Sequence, residues 1–151
     1  MLIGPVDHQA LADWITSIPF EEWPQQHRID EQLRPSMVTD LDWHGFGART
    51  DDLVGELCGR HFAGLVPYQR MLSVVMSGHS IPPHIDEQGK NWLCRVHVPL
   101  VSNDWSAFIV EGLELNMAPG FAYRVDTTKE HAVVNNGDTP RIHFMFDVGK
   151  A

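Results

Sequence analysis

The chain has 151 residues, an apolar fraction of 43% and a formal net charge of −9 with its histidines neutral. That length suits one domain whose core needs no disulfide or metal staple. The acidic balance disfavours nonspecific binding to nucleic acid or anionic membrane, and no run approaches the roughly 18 consecutive apolar residues of a membrane span. The opening "MLIGPVDHQALADW" lacks the basic flank and cleavable apolar stretch of a secretory signal. Cys58 and Cys94 are therefore expected as free thiols in a reducing, cytoplasmic setting.

In chain order, the first element reads as a helix capped by Asp7, with Ala10, Leu11, Trp14, Ile15 and Ile18 on one face and Pro19 closing it. Residues 20–49 are irregular, punctuated by Pro24, Pro35, Gly45 and Gly47. A second helix is expected from Thr50 as cap, with Leu53, Val54, Leu57 and Cys58 as its apolar side and Gly64 and Pro67 after its end. From Met71 the pattern changes to short strands: "MLSVVMS", "CRVHVPL", "WSAFIV", "LELNM", "FAYRV", "HAVVN" and "RIHFMFDV". Asn136-Gly137 reads as the hairpin turn between the last two. The expectation is one domain over 1–151, mainly β, with a helical and irregular cover over 1–69 and an antiparallel sandwich or barrel over 70–148.

Alternation within the strands is informative. Arg141, His143, Met145 and Asp147 share one face of "RIHFMFDV", and Ile142, Phe144, Phe146 and Val148 the other. In "CRVHVPL", Arg95 and His97 oppose Cys94, Val96 and Val98. One reading is a half-exposed sheet with a solvated polar side. The other is a jelly roll whose apolar face packs under the helices and whose polar face lines the interior. Buried Arg and His would then need a charged ligand or a metal.

His84 and Asp86 sit two apart on an extended segment, so both point to one side, and Pro82 and Pro83 stiffen the approach. His131, at the head of a later strand, is the best candidate for a third ligand. Two histidines and a carboxylate form the facial triad of non-haem Fe(II) oxygenases. Arg141, across the expected hairpin from His131, is placed to clamp a carboxylate, which suits a bound 2-oxo acid.

The stretches "MLSVVMSGHSIPPHID", "CRVHVPL" and "HAVVNNGDTPRIHFMFDV" resemble the aspartyl/asparaginyl β-hydroxylase branch of the Fe(II)- and 2-oxoglutarate-dependent oxygenases, over about Met71 to Val148. The resemblance implies a double-stranded β-helix, a cupin-like jelly roll. It implies His84, Asp86 and His131 as iron ligands, and Arg141 on the distal carboxylate of 2-oxoglutarate. Arg95 and His97 match the family's R-x-H strand, which contacts the cosubstrate, and Ser73 matches a serine near the same carboxylate. The implied activity is hydroxylation of an amino acid, peptide or protein side chain with O2, giving succinate and CO2. Some β-hydroxylases carry glycine where this chain has Asp86, so the substrate does not follow from the resemblance.

His44 and His79 read as solvated loop residues, and His143 as either a cavity group or a satisfied core histidine. Trp92 is a candidate for the substrate mouth, and Arg28 and Arg34 for substrate-carboxylate contacts, though a polar surface loop explains the arginines better. The alternative function is a non-oxidative cupin-like module that binds a metal or small acid. Such a module has no need of Arg95 and Arg141 on cavity faces.

Overall fold

The computed structural model describes residues 1–24, 28–29, 32–33 and 36–151. Arg34, and the side chain of Arg28, lie outside the described residues, and with them the expected carboxylate contacts.

The core strands lie in two antiparallel sheets, and most successive strands switch from one sheet to the other. The larger sheet has the order β1 (Leu2–Pro5), β10 (Phe121–Val125), β7 (Trp92–Val101), β12 (Arg141–Gly149), β5 (Val66–Val75) and β4 (Ser36–Val38). The smaller has the order β6 (Ser80–His84), β11 (His131–Asn135), β8 (Ser106–Val110) and β9 (Leu113–Leu115). A short ribbon joins β2 (Arg28–Ile29) to β3 (Gln32–Leu33). The chain passes from β5 in the large sheet to β6 in the small, back to β7, across to β8, and later through β10, β11 and β12 in the same manner. This is a double-stranded β-helix, a jelly roll.

The packing decides between the two readings of the alternation. Leu72, Val74, Val96, Val98, Phe144 and Phe146 form the outer face of the large sheet, buried against α1 (Gln9–Thr16) and α2 (Phe46–His61) through Trp14, Ile15, Phe46, Val54 and Leu57. The inner face meets the small sheet through a second apolar cluster of Val75, Phe108, Met117, Val125 and Val133. Arg141, His143 and Asp147 are only 2%, 1% and 0% exposed, so the polar face is interior and not solvated.

Four local expectations are corrected. The residue flanking the start of α1 is His8, and Asp7 instead accepts a hydrogen bond from the Gln9 backbone N–H at 3.3 Å. Helix α2 begins at Phe46, after Gly45 at φ +72°, so Thr50 lies inside it, donating its hydroxyl to the Phe46 carbonyl at 2.8 Å. The first 69 residues are not only cover, because β1 and β4 close the two edges of the large sheet. Finally, Asn136-Gly137 does not join a hairpin. Strand β11 pairs with β6 and β8, while β12 pairs with β5 and β7, so the turn is a corner that carries the chain between sheets.

That corner is held by the fully buried Asn135. Its Nδ2 donates to the Val75 and Thr139 carbonyls, both at 2.9 Å, and its Oδ1 accepts from the Gly137 N–H at 3.1 Å and the Ser106 hydroxyl at 3.0 Å. A Cβ on Gly137 would collide with the Asn103 side chain, which explains glycine there.

Candidate metal centre

Strand β6 lies at the edge of the small sheet, where prolines cost no ladder hydrogen bond, and it carries Pro82 and Pro83. Its last residue, His84, is the direct cross-strand partner of His131 on β11. The two rings have centroids 4.2 Å apart. Asp86 follows β6 and is fixed by its backbone N–H, which donates to the Thr127 carbonyl at 3.0 Å. Ligand atoms of His84, Asp86 and His131 all lie within 4.8 Å of one another. Asp86 faces both rings, with Oδ1 3.4 Å from His84 Nε2 and Oδ2 3.7 Å from His131 Nε2.

Each histidine has its tautomer set by its own backbone. His84 Nδ1 meets the Pro82 carbonyl at 2.9 Å, and His131 Nδ1 meets the Lys129 carbonyl at 2.8 Å. A carbonyl only accepts, so Nδ1 carries the proton and Nε2 presents a lone pair. This is the outer-partner arrangement of metal-bound imidazoles. Burial holds His131 below the usual histidine range, against the opposing hydrogen bond to Lys129, which keeps the ring neutral. Phe108 stacks on His131 at 5.7 Å and 18°. The donor set of two neutral imidazoles and one carboxylate fits a non-haem Fe(II) centre.

A cavity of about 500 Å³ runs inward from these three residues. Met71, Phe108, Val133 and Met145 supply its apolar wall, and Ser73 and Arg141 its buried polar end. Arg141 Nη2 donates to His143 Nδ1 at 2.9 Å, and among the described residues no carboxylate pairs with this guanidinium. Burial pushes Arg141 down to about 9. Ser73 lies opposite His143 in the β5–β12 register, which sets its hydroxyl beside the arginine strand.

His97 and His143 extend the arrangement. Their Nδ1 atoms are 3.1 Å apart. Because His143 Nδ1 accepts from Arg141, only His97 Nδ1 can donate across this contact, and the other nitrogen of that ring is Nε2. That atom is buried and without a partner. Burial, then the nearby Arg141 charge, hold both rings well below the usual histidine range.

Arg95 is differently engaged. Its Nε and Nη2 fork onto Asp147 at 2.8 and 3.1 Å, and Nη1 reaches Asp86 Oδ2 at 3.2 Å. The sequence reading placed Asp147 on the same face as Arg141 without giving it a role, although opposite charges on two inward faces were the available signal. It also passed over Gln69, a cavity-lining residue at φ +54°. There, two residues of β5 oppose Phe146 alone, a bulge beside the site.

One candidate falls away, and the two loop histidines, His44 and His79, are exposed as expected. Trp92 does not line the cavity, and its indole N–H is buried without a partner. His44 lies 3.7 Å from Glu22 in the N-terminal region.

Fold and donor set together define a jelly-roll protein with a two-histidine, one-carboxylate centre. The chain belongs to the aspartyl/asparaginyl β-hydroxylase family, whose model matches residues 48–151. Among solved structures, AviO1 from Streptomyces viridochromogenes Tue57 is similar over 99% of this chain and 88% of that one, at 12% identity and a TM-score of 0.69. The viral collagen prolyl hydroxylase of Paramecium Bursaria Chlorella virus-1, solved as a 2OG complex, is similar over 78% of this chain and 80% of that one, at 11% identity and a TM-score of 0.58. A 2OG-Fe(II) oxygenase family oxidoreductase from Burkholderia pseudomallei gives 17% identity and a TM-score of 0.52 over 69% of this chain, which spans 53% of that one. These likenesses show the fold. No curated protein matches the sequence. Among the described residues no helix is long and apolar enough to cross a membrane.

Proposed function

We propose that the protein is an Fe(II)- and 2-oxoglutarate-dependent dioxygenase that hydroxylates an amino acid, peptide or protein side chain. The observation that carries this reading is the sharing of one cavity by the His84–Asp86–His131 donor set and a buried guanidinium, Arg141, that no described carboxylate neutralises. A metal at one end and an unpaired cation at the other suit a ligand that is an oxo acid at its head and a carboxylate at its tail.

When bound, Fe(II) with 2-oxoglutarate supplies the power to oxidise a C–H bond with O2, with succinate and CO2 as co-products. The chain supplies the rest. His84 and His131 offer bare Nε2 lone pairs, already oriented by the Pro82 and Lys129 carbonyls. Asp86 supplies the negative charge. Arg141 takes the distal carboxylate, with the Ser73 hydroxyl as a second donor. Met71, Phe108, Val133 and Met145 give the chamber its apolar lining. A volume of about 500 Å³ is ample for a small diacid, within the range of ~300–1,000 Å³ typical of small-molecule sites. Both Cys58 and Cys94 are free thiols, which suits the reducing, cytoplasmic setting expected from the sequence.

The test is succinate formation from 2-oxoglutarate with Fe(II), ascorbate and O2, with candidate amino acids and peptides. Succinate production that requires Fe(II) supports the reading. Binding of metal and 2-oxoglutarate with no turnover under any condition would make the protein a non-oxidative, cupin-like binding module.

A further inference from the structure

Asp147 is 0% exposed, yet it does not line the cavity. It sits opposite Arg95 in the β7–β12 register and grips that guanidinium with both oxygens, at 2.8 and 3.1 Å. The free arm of Arg95 leaves the large sheet and reaches Asp86 Oδ2 at 3.2 Å. Asp86 Oδ1 is turned toward His84.

We propose that Asp147 and Arg95 are positioning residues that clamp the metal-binding carboxylate of Asp86. The inference rests on the metal reading above and extends it to residues outside the donor set. Asp147 holds the guanidinium in plane, the guanidinium holds Oδ2 where it also faces His131 Nε2 at 3.7 Å, and Oδ1 is thereby presented to His84.

The charge balance explains why a second carboxylate is needed. An arginine paired with Asp86 alone would cancel the charge that draws in the cation and would compete with the cation for the carboxylate. Asp147 restores that charge, so the three side chains together keep a net charge of −1. The arginine can then orient without neutralising. Each of the three metal ligands thereby has an outer partner: a backbone carbonyl for each histidine and an ion pair for the carboxylate. The clamp also assigns three of Arg95's five N–H groups, which leaves Arg141 as the principal anion site.

The test is metal affinity, read by Co2+ titration of the full chain with the Co2+ absorption spectrum as the signature of geometry. Asp147→Asn frees the Arg95 charge to close on Asp86, and affinity should fall tenfold or more. Arg95→Lys keeps the charge but lacks the planar fork that grips both Asp147 oxygens while a third N–H reaches Asp86, and should show a loss of the same order with an altered spectrum. It covers the case in which Asp147→Asn does not fold. The double variant Arg95→Gln/Asp147→Asn removes the competing cation, and should bind Co2+ more tightly than Asp147→Asn alone. A pair that only joins strands predicts the opposite: lower melting temperatures with unchanged Co2+ affinity and spectrum in every variant that folds, and that result overturns the clamp. Failure of the wild-type chain to bind Co2+ at all overturns the metal reading itself.

Discussion

His84 and His131 are cross-strand partners on β6 and β11, with ring centroids 4.2 Å apart, and each ring is turned by the carbonyl two residues before it. The sheet thus delivers two bare nitrogens to one place before any ion arrives. Asp86 adds the third donor from the loop beyond. It follows that Asp86→Ala should abolish tight metal binding while leaving the fold intact. Asp86 is partly exposed, and its ion pairs are worth about 1 kcal/mol or less to stability. Metal titration beside a thermal melt separates the two effects.

Arg141 presents the reverse case, a residue that costs stability and serves binding. A buried cation without a described counter-charge is expensive. Arg141→Met should therefore raise the melting temperature of the ligand-free protein, by roughly 1 kcal/mol or ~2–4 °C for a chain of this size. Added 2-oxoglutarate should stabilise the wild type against heat more than it stabilises the variant. A lower melting temperature for Arg141→Met in the absence of ligand would show that the guanidinium is a structural prop.

His97 and His143 set the response to acid. Both are held well below the usual histidine range by burial and the Arg141 charge, so they stay neutral in the folded chain. In the unfolded chain they take up protons near 6.5. Below that pH the unfolded state binds more protons, so stability rises with pH there and is lost as pH falls. The loss approaches about 1.4 kcal/mol per pH unit for each ring. Urea melts should give a flat midpoint between pH 7 and 8 and a steep decline from about pH 6.5 downward. An equally stable protein at pH 5.5 and 7.5 would mean that the two rings are not buried neutral.

Asn135 holds the corner between the two halves of the site. Asn135→Ala takes the side-chain partner from two buried backbone groups, the Val75 carbonyl and the Gly137 N–H, each costing about 1–3 kcal/mol, and should destabilise the fold by roughly 2–4 kcal/mol. Because the corner sets the spacing of β11 and β12, the variant should also bind 2-oxoglutarate more weakly at temperatures where it remains folded. Equilibrium unfolding and a binding titration at the same temperature check both parts.

The chemistry of this protein was more legible than its geometry. Strand periodicity showed which residues share a face, and H-x-D with a distant histidine and arginine suggested a metal and an acid. Alternation alone could not decide whether the face of Arg141 and His143 meets water or a cavity, because helix packing on the opposite face settles that. Asn136-Gly137 misled for a related reason. A tight turn looks the same in sequence whether it closes a hairpin or turns a corner between sheets, and here the buried Asn135 network selects the corner. Edge strands β1 and β4 escaped notice because they are short and lie in proline-punctuated sequence, where pairing to β10 and β5 and not intrinsic preference makes them strands. Asp147 was visible as a residue and invisible as a partner, since register across β7 and β12 is a property of the folded sheet.

The most direct test compares two ligands on the metal-loaded, oxygen-free protein: 2-oxoglutarate, and 2-oxobutyrate, which has the same oxo-acid head and no distal carboxylate. One ligand spanning from the His84–Asp86–His131 centre to Arg141 predicts that wild type prefers 2-oxoglutarate by at least tenfold, since a charge-assisted pair is worth about 1.5–3 kcal/mol and about 1.4 kcal/mol is a factor of ten. Arg141→Met should erase the preference without weakening 2-oxobutyrate. Equal binding of the two acids by the wild type, or a preference that survives in Arg141→Met, would contradict the account.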